Sequence, residues 1–99
     1  MKITTKSGFE LEIDKEELND YKVLDAIADA DSDDEAEKIR GSVNLVRYIL
    51  GKQKKAYYKH IEAQHNGRVP VEVVNEDVSD IFNQLNDSND KEAKDVKNS

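Results

Sequence analysis

The stretch Met1-Lys2-Ile3-Thr4-Thr5-Lys6-Ser7-Gly8-Phe9-Glu10-Leu11-Glu12-Ile13 decides the fold class. Apolar and polar residues alternate on both sides of Lys6-Ser7-Gly8, the pattern of two half-buried strands around a tight loop. A three-residue loop with Gly8 in the left-handed region sets Thr5 opposite Phe9, Ile3 opposite Leu11 and Met1 opposite Ile13, so one face is apolar. The same register sets Lys2 opposite Glu12 and Thr4 opposite Glu10 on the other face. A two-residue Ser7-Gly8 loop would instead put Ile3 against Glu12. The spacing therefore predicts a β-hairpin over about 1–13 with the longer loop.

Downstream of the hairpin the apolar period changes from two to between three and four, which predicts helices. Asp14-Lys15-Glu16-Glu17 has the form of a capping box and starts a helix over about 15–30, with Leu18, Tyr21, Leu24, Ile27 and Ala28 inward. Asn19-Asp20 could divide this segment into a short turn and a second helix. Ser32-Asp33-Asp34-Glu35 starts the next helix, over about 33–50, with an apolar stripe of Ile39, Val43, Val46, Ile49 and Leu50 and a stop at Gly51. Its acids lie at the start and Arg47 and Lys52 near the end, as the helix dipole favours. A third helix is expected over about 53–65, with Ala56, Tyr57 and Ile61 inward, ending at Asn66-Gly67. The last is expected over about 70–86, where Val71, Val74, Val78, Ile81, Phe82 and Leu85 repeat at helical intervals and Pro70 fits a first turn. Because Val69, Val71 and Val73 alternate and are β-branched, a short strand at 69–74 ahead of that helix stays open. From Asn86 onward only Ala93 and Val96 are apolar, too little buried surface to offset ordering, so a disordered polar tail is expected over 87–99. The expected fold is α+β, mainly α: an N-terminal β-hairpin followed by three to four helices in one small globular domain of residues 1–86.

The chain has 99 residues, 36% of them apolar, with six aromatics and no tryptophan, which leaves a thin core and little material for a deep, dry catalytic cavity. Cysteine is absent, which excludes disulfides, thiolate nucleophiles and thiolate metal sites and suits a reducing cytosol. No run approaches the roughly 18 apolar residues of a membrane span, and no apolar leader with a basic flank opens the chain, so export and membrane anchoring are not expected. The net charge of -7 is segregated: -9 over residues 1–37, +7 over 38–61 and -5 over 62–99. Overall acidity opposes general nucleic-acid binding, and the basic middle keeps it open.

Motifs for chemistry are sparse. The acids at Asp29, Asp31, Asp33, Asp34, Glu35 and Glu37 alternate like calcium ligands. Counted from Asp29, however, Asp34 takes the glycine position and Arg40 the bidentate-acid position; from Asp31, those positions fall to Ala36 and Ser42. His60 and His65 are five apart, which sets them on different sides of a helix, and no HExxH occurs, so no metal and no cofactor are expected. No nucleophile or acid stands at a spacing that would make either histidine a general base, and no enzymatic activity is expected. Lys52, Lys54, Lys55 and Lys59, interleaved with Tyr57 and Tyr58, are candidate nucleic-acid contacts, because cations and rings together suit backbone contact and base stacking. Tyr58, Val74, Val78, Ile81, Phe82 and Leu85 are candidate protein-binding residues, since an apolar helix face can lie in a partner's groove; such a stripe serves a core equally well.

The chain resembles tail-assembly chaperones of siphophages and prophages of Gram-positive bacteria over about residues 1–86. The resemblance rests on Lys6-Ser7-Gly8-Phe9 followed by Ile13-Asp14, on Tyr21-Lys22-Val23-Leu24-Asp25-Ala26, on Gly51-Lys52 leading to Tyr58-Lys59-His60-Ile61, and on Gly67-Arg68-Val69-Pro70 before Ile81-Phe82. It implies a protein of the bacterial host cytoplasm that binds and solubilises the tape-measure protein and helps recruit tail-tube subunits during virion assembly. Members often have a frameshifted longer form, for which the segment after Leu85 is a natural junction. The family supplies no universal binding residues to transfer.

Overall fold

A computed structural model describes the backbone of residues 1–98 and the side chains of residues 1–86. The fold is α+β and mainly α. Strands β1 (Lys2–Thr4) and β2 (Glu10–Glu12) form an antiparallel hairpin, followed by α1 (Lys15–Leu18), α2 (Tyr21–Ala30), α3 (Glu35–Leu50), a 3-10 turn (Gly51–Gln53), α4 (Lys54–Gln64) and α5 (Val71–Asn98). The disordered tail expected over 87–99 lies outside the fully described residues.

The hairpin has the register that side-chain pairing requires, with Lys2 opposite Glu12, Ile3 opposite Leu11 and Thr4 opposite Glu10. The Thr5 amide donates to Phe9 O at 2.8 Å and the Gly8 amide to Thr5 O at 2.9 Å, closing the three-residue loop. Gly8 has φ +93°, a conformation in which a Cβ would be strained. Ile3, Leu11 and Ile13 are buried on the inner face, with Phe9 packed beside them.

The open question at Asn19-Asp20 resolves as a break. Asp14 accepts from Glu16 N at 2.9 Å to start the single turn α1, and Asp20 accepts from Lys22 N at 2.9 Å to start α2. The inward face of α2 also differs from the expected one. Val23 and Ala26 are buried, whereas Tyr21, Leu24, Ile27 and Ala28, expected inward, are exposed. The cause lies across the contact in α3. A Cβ built on Gly41 would stand 2.2 Å from Ala30 N and 2.7 Å from Ala26 O, so the two backbones nearly touch. Such an approach admits only small side chains between the helices, and the Ala26/Ala30 face turns inward at the expense of the bulkier one.

α3 begins at Glu35, two residues later than expected. Its preceding loop is held by Ser32 Oγ, which accepts from Asp34 N at 3.1 Å and donates to Glu37 Oε2 at 2.8 Å. The C-terminal half of α3 is core, with Leu45, Val46, Ile49 and Leu50 buried. Ile39 and Val43, expected in the same stripe, are exposed, because the N-terminal half packs through Gly41 on α2. Gly51 ends the helix at φ +49° and α4 follows, with Tyr57 and Ile61 buried and Ala56 exposed rather than inward. After Asn66-Gly67, both at positive φ, residues 68–70 are irregular and α5 starts at Val71, so residues 71–74 are helix and not strand. Ile81 and Leu85 are buried, and Val73, Val74, Val78 and Phe82 are half-buried against the same core.

Candidate functional site

Two features stand out: an outward apolar surface on α2 and α3, and a buried polar cluster that holds the hairpin loop. The surface follows from the inversion of α2. Tyr21 is 82% exposed, Leu24 59% and Ile27 37%, and they span about 120° of the helix circumference on the side away from Ala26. On α3, Ile39 and Val43 are exposed one turn apart. Large apolar side chains in this state gain by being covered, at roughly 25 cal/mol for each Å² removed from water.

The candidate protein-binding residues of α4 and α5 occupy a different environment. Ile81 and Leu85 are covered by the core of the chain itself and offer no surface. Tyr58, Val74, Val78 and Phe82 keep partial exposure while packing on that core, and the Tyr58 ring lies under Lys54 Nζ at 5.8 Å. Of the basic set, Lys52, Lys55 and Lys59 are exposed and Lys54 is half-buried. Tyr57 is buried and cannot stack on a base, whereas Tyr58, half-buried, keeps open surface near these lysines.

The polar cluster centres on Asp77, a carboxylate only 1% exposed. Ser7 donates to it twice, from N to Oδ1 at 2.9 Å and from Oγ to Oδ2 at 2.6 Å, and the Tyr57 hydroxyl donates to Oδ2 at 2.7 Å. Around the same loop, His60 Nε2 lies 2.9 Å from Ser7 O and Gln64 Nε2 donates to that carbonyl at 3.1 Å. Phe9 meets Tyr57 edge-on at 5.3 Å between ring centroids and His60 at 5.6 Å. Burial, reinforced by the hydrogen bond to Asp77, raises the Tyr57 hydroxyl well above the usual phenol range.

Chemically, this arrangement is a clamp. Both carboxylate oxygens of Asp77 are occupied, and His60 contacts the Ser7 carbonyl rather than its hydroxyl, so no base faces the hydroxyl except the already bonded Asp77. Neither of two surface hollows among the described residues, one lined by Met1, Ile13 and Lys15 among others and one by Lys6, Asn75 and Asp80 among others, includes Asp77 or His60. Among the described residues no group of three or more His, Asp or Glu is set to hold a metal ion, and no helix is long and apolar enough to cross a membrane.

Two glutamines also hold the hairpin by its edges. Gln53 accepts from Glu12 N at 3.0 Å and donates to Glu12 O at 2.9 Å, pairing with β2 as a further strand would; Gln84 donates to Thr4 O at 3.0 Å on β1. Sequence reading missed Asp77, Ser7, His60, Gln53 and Gln84 as partners. One signal was available for Asp77. It falls three residues after Val74 and four before Ile81, inside the apolar stripe of α5, where a charged side chain needs buried donors.

No family model, curated protein or solved structure matches the chain.

Proposed function

We propose that this chain is a protein-binding assembly factor that covers apolar segments of a client and releases them as assembly proceeds. In its specific form it is a phage tail-assembly chaperone that binds the tape-measure protein, keeps it dispersed and helps bring tail-tube subunits to it in the bacterial host cytoplasm. The observation that carries the general reading is the outward stripe Tyr21, Leu24 and Ile27, apolar side chains displayed on a helix whose small-residue face is the one packed inside. The specific client comes from the resemblance in residue order between the hairpin loop and Ile81-Phe82.

Physically, each contact would be weak, and many copies on one long client would still suppress its aggregation while permitting release. The net charge of -7 keeps the loaded complex dispersed. Co-expression with a siphophage tape-measure protein should raise the soluble fraction of that protein and leave the two co-purifying. A tape-measure protein equally insoluble with and without this chain would remove the specific reading.

A further inference from the structure

We infer that the outward face of α2 is a docking site for an amphipathic helix whose apolar stripe is flanked by lysines or arginines; this deepens the assembly-factor reading and rests on it. Tyr21, Leu24 and Ile27 recur at three-residue intervals, the spacing by which one helix lies along another. The stripe is framed by carboxylates. Asp20 stands at its start, Asp25 on its flank and Asp31 just past its end. Asp20 has a weak pair with Lys22 at 3.9 Å, while the side chains of Asp25 and Asp31 are without a partner among the described residues. Residues 20–31, which make up α2 and its caps, hold four aspartates against the one cation Lys22, and the exposed Lys38 and Arg40 belong to the neighbouring α3.

Charge selects the occupant. A helix with basic flanks gains at the rim and is steered to it, whereas an acidic helix, a nucleic acid or an anionic lipid surface is repelled. A second copy packed antiparallel on the same face about a two-fold axis at Leu24 would bring the two Asp25 residues together and set Asp31 of each copy beside Asp20 of the other, which disfavours self-pairing.

The test is binding of a fluorescently labelled helical peptide with leucines on one face and lysines on the other, beside a matched peptide carrying glutamates for lysines, at physiological ionic strength. The lysine peptide should bind at least about tenfold more tightly than the glutamate peptide. Leu24→Ser and Tyr21→Ser should each weaken it about tenfold, and Asp25→Asn about two- to fivefold. Val71→Ser, at a 72% exposed apolar residue elsewhere, should leave it unchanged. Equal affinity for the two peptides, no loss in the Leu24 and Tyr21 variants, or an equal loss with Val71→Ser would overturn the assignment. So would a concentration-dependent dimer of the unaltered chain that Leu24→Ser abolishes, since the occupant would then be a second copy. Should Leu24→Ser lose its helical circular dichroism, Tyr21→Ser at the more exposed position decides. A tape-measure protein solubilised equally by the unaltered chain and a folded Leu24→Ser variant sinks this surface and leaves the tape-measure role, which would then fall to another face; peptide binding without client solubilisation does the reverse.

Discussion

Asp77 shows how one residue can join elements that are far apart in sequence. A buried carboxylate is costly alone, and here three donors from Ser7 and Tyr57 satisfy it, so the hairpin loop, α4 and α5 meet at one group. Asp77→Ala would leave the Ser7 amide and the Tyr57 hydroxyl without their acceptor and the Ser7 hydroxyl with only Thr5 Oγ1 at 3.0 Å, and should lower the unfolding free energy by about 2–4 kcal/mol in urea titration, against about 1–2 kcal/mol for Tyr57→Phe. A loss below about 0.5 kcal/mol for Asp77→Ala would mean that the clamp is not formed in solution. Tyr57 also makes a pH prediction. Its hydroxyl is held protonated in the folded chain, first by burial and then by Asp77, while the unfolded chain releases that proton near pH 10. Above that pH the folded state binds more protons than the unfolded, so this residue's contribution is flat below about pH 10 and stability falls as pH rises further. Denaturation midpoints followed from pH 8 to 11 should fall less steeply for Tyr57→Phe than for the unaltered chain.

Among the elements, the α2/α3 pair and the hairpin edges carry the sharpest expectations. Alanine is favoured over glycine in a helix by about 1 kcal/mol, so Gly41→Ala would stabilise an isolated α3. In the folded chain its Cβ would meet the Ala30 and Ala26 backbone, which cannot rotate away. Overpacking of this kind costs about 1–3 kcal/mol or more and should outweigh the propensity gain, giving a lower melting temperature for Gly41→Ala. A variant that melts higher would mean the helices separate more easily than the contact implies. At the hairpin, Gln53 occupies the edge of β2. Gln53→Ala should cost about 0.5–1.5 kcal/mol and speed hydrogen exchange at the Glu12 amide, leaving the edge open for pairing with other chains. An unchanged Glu12 exchange rate would show that water replaces the glutamine without loss.

Taken whole, the molecule buries its hairpin, α4 and the C-terminal half of α3 around Tyr57 and Ile61 and leaves Tyr21, Leu24, Ile27, Ile39 and Val43 displayed on α2 and the N-terminal half of α3. That display implies a behaviour in solution. Replacing Tyr21, Leu24 and Ile27 together by serine should leave the melting temperature within a few degrees, because these side chains make little of the core, while removing most of the client-solubilising effect. A marked drop in melting temperature would show that the face is structural; co-expression yields would be read beside it.

How much of this was legible beforehand differs by element. The hairpin register was readable, because a period of two makes a one-residue slip place Ile3 against Glu10 or Glu12, which the three-residue loop avoids. The starts of the helices were readable to within a few residues from caps, glycines and apolar spacing, including the possible break at Asn19-Asp20. The inward face of α2 was not. Tyr21, Leu24 and Ile27 and the smaller Val23, Ala26 and Ala30 each form a stripe, and one helix considered alone cannot choose between them. The glycine at 41 made the choice, by demanding that whatever lies across from it be small. The partners of Asp77 were hidden for the same reason: seventy residues separate it from Ser7, and only the packed chain brings a loop amide and a tyrosine hydroxyl to one carboxylate. Local periodicity and turn chemistry are properties of neighbouring residues and so are written in the sequence; which of two apolar faces is covered, and which donors meet a buried charge, depend on distances between helices that arise only when the chain is packed.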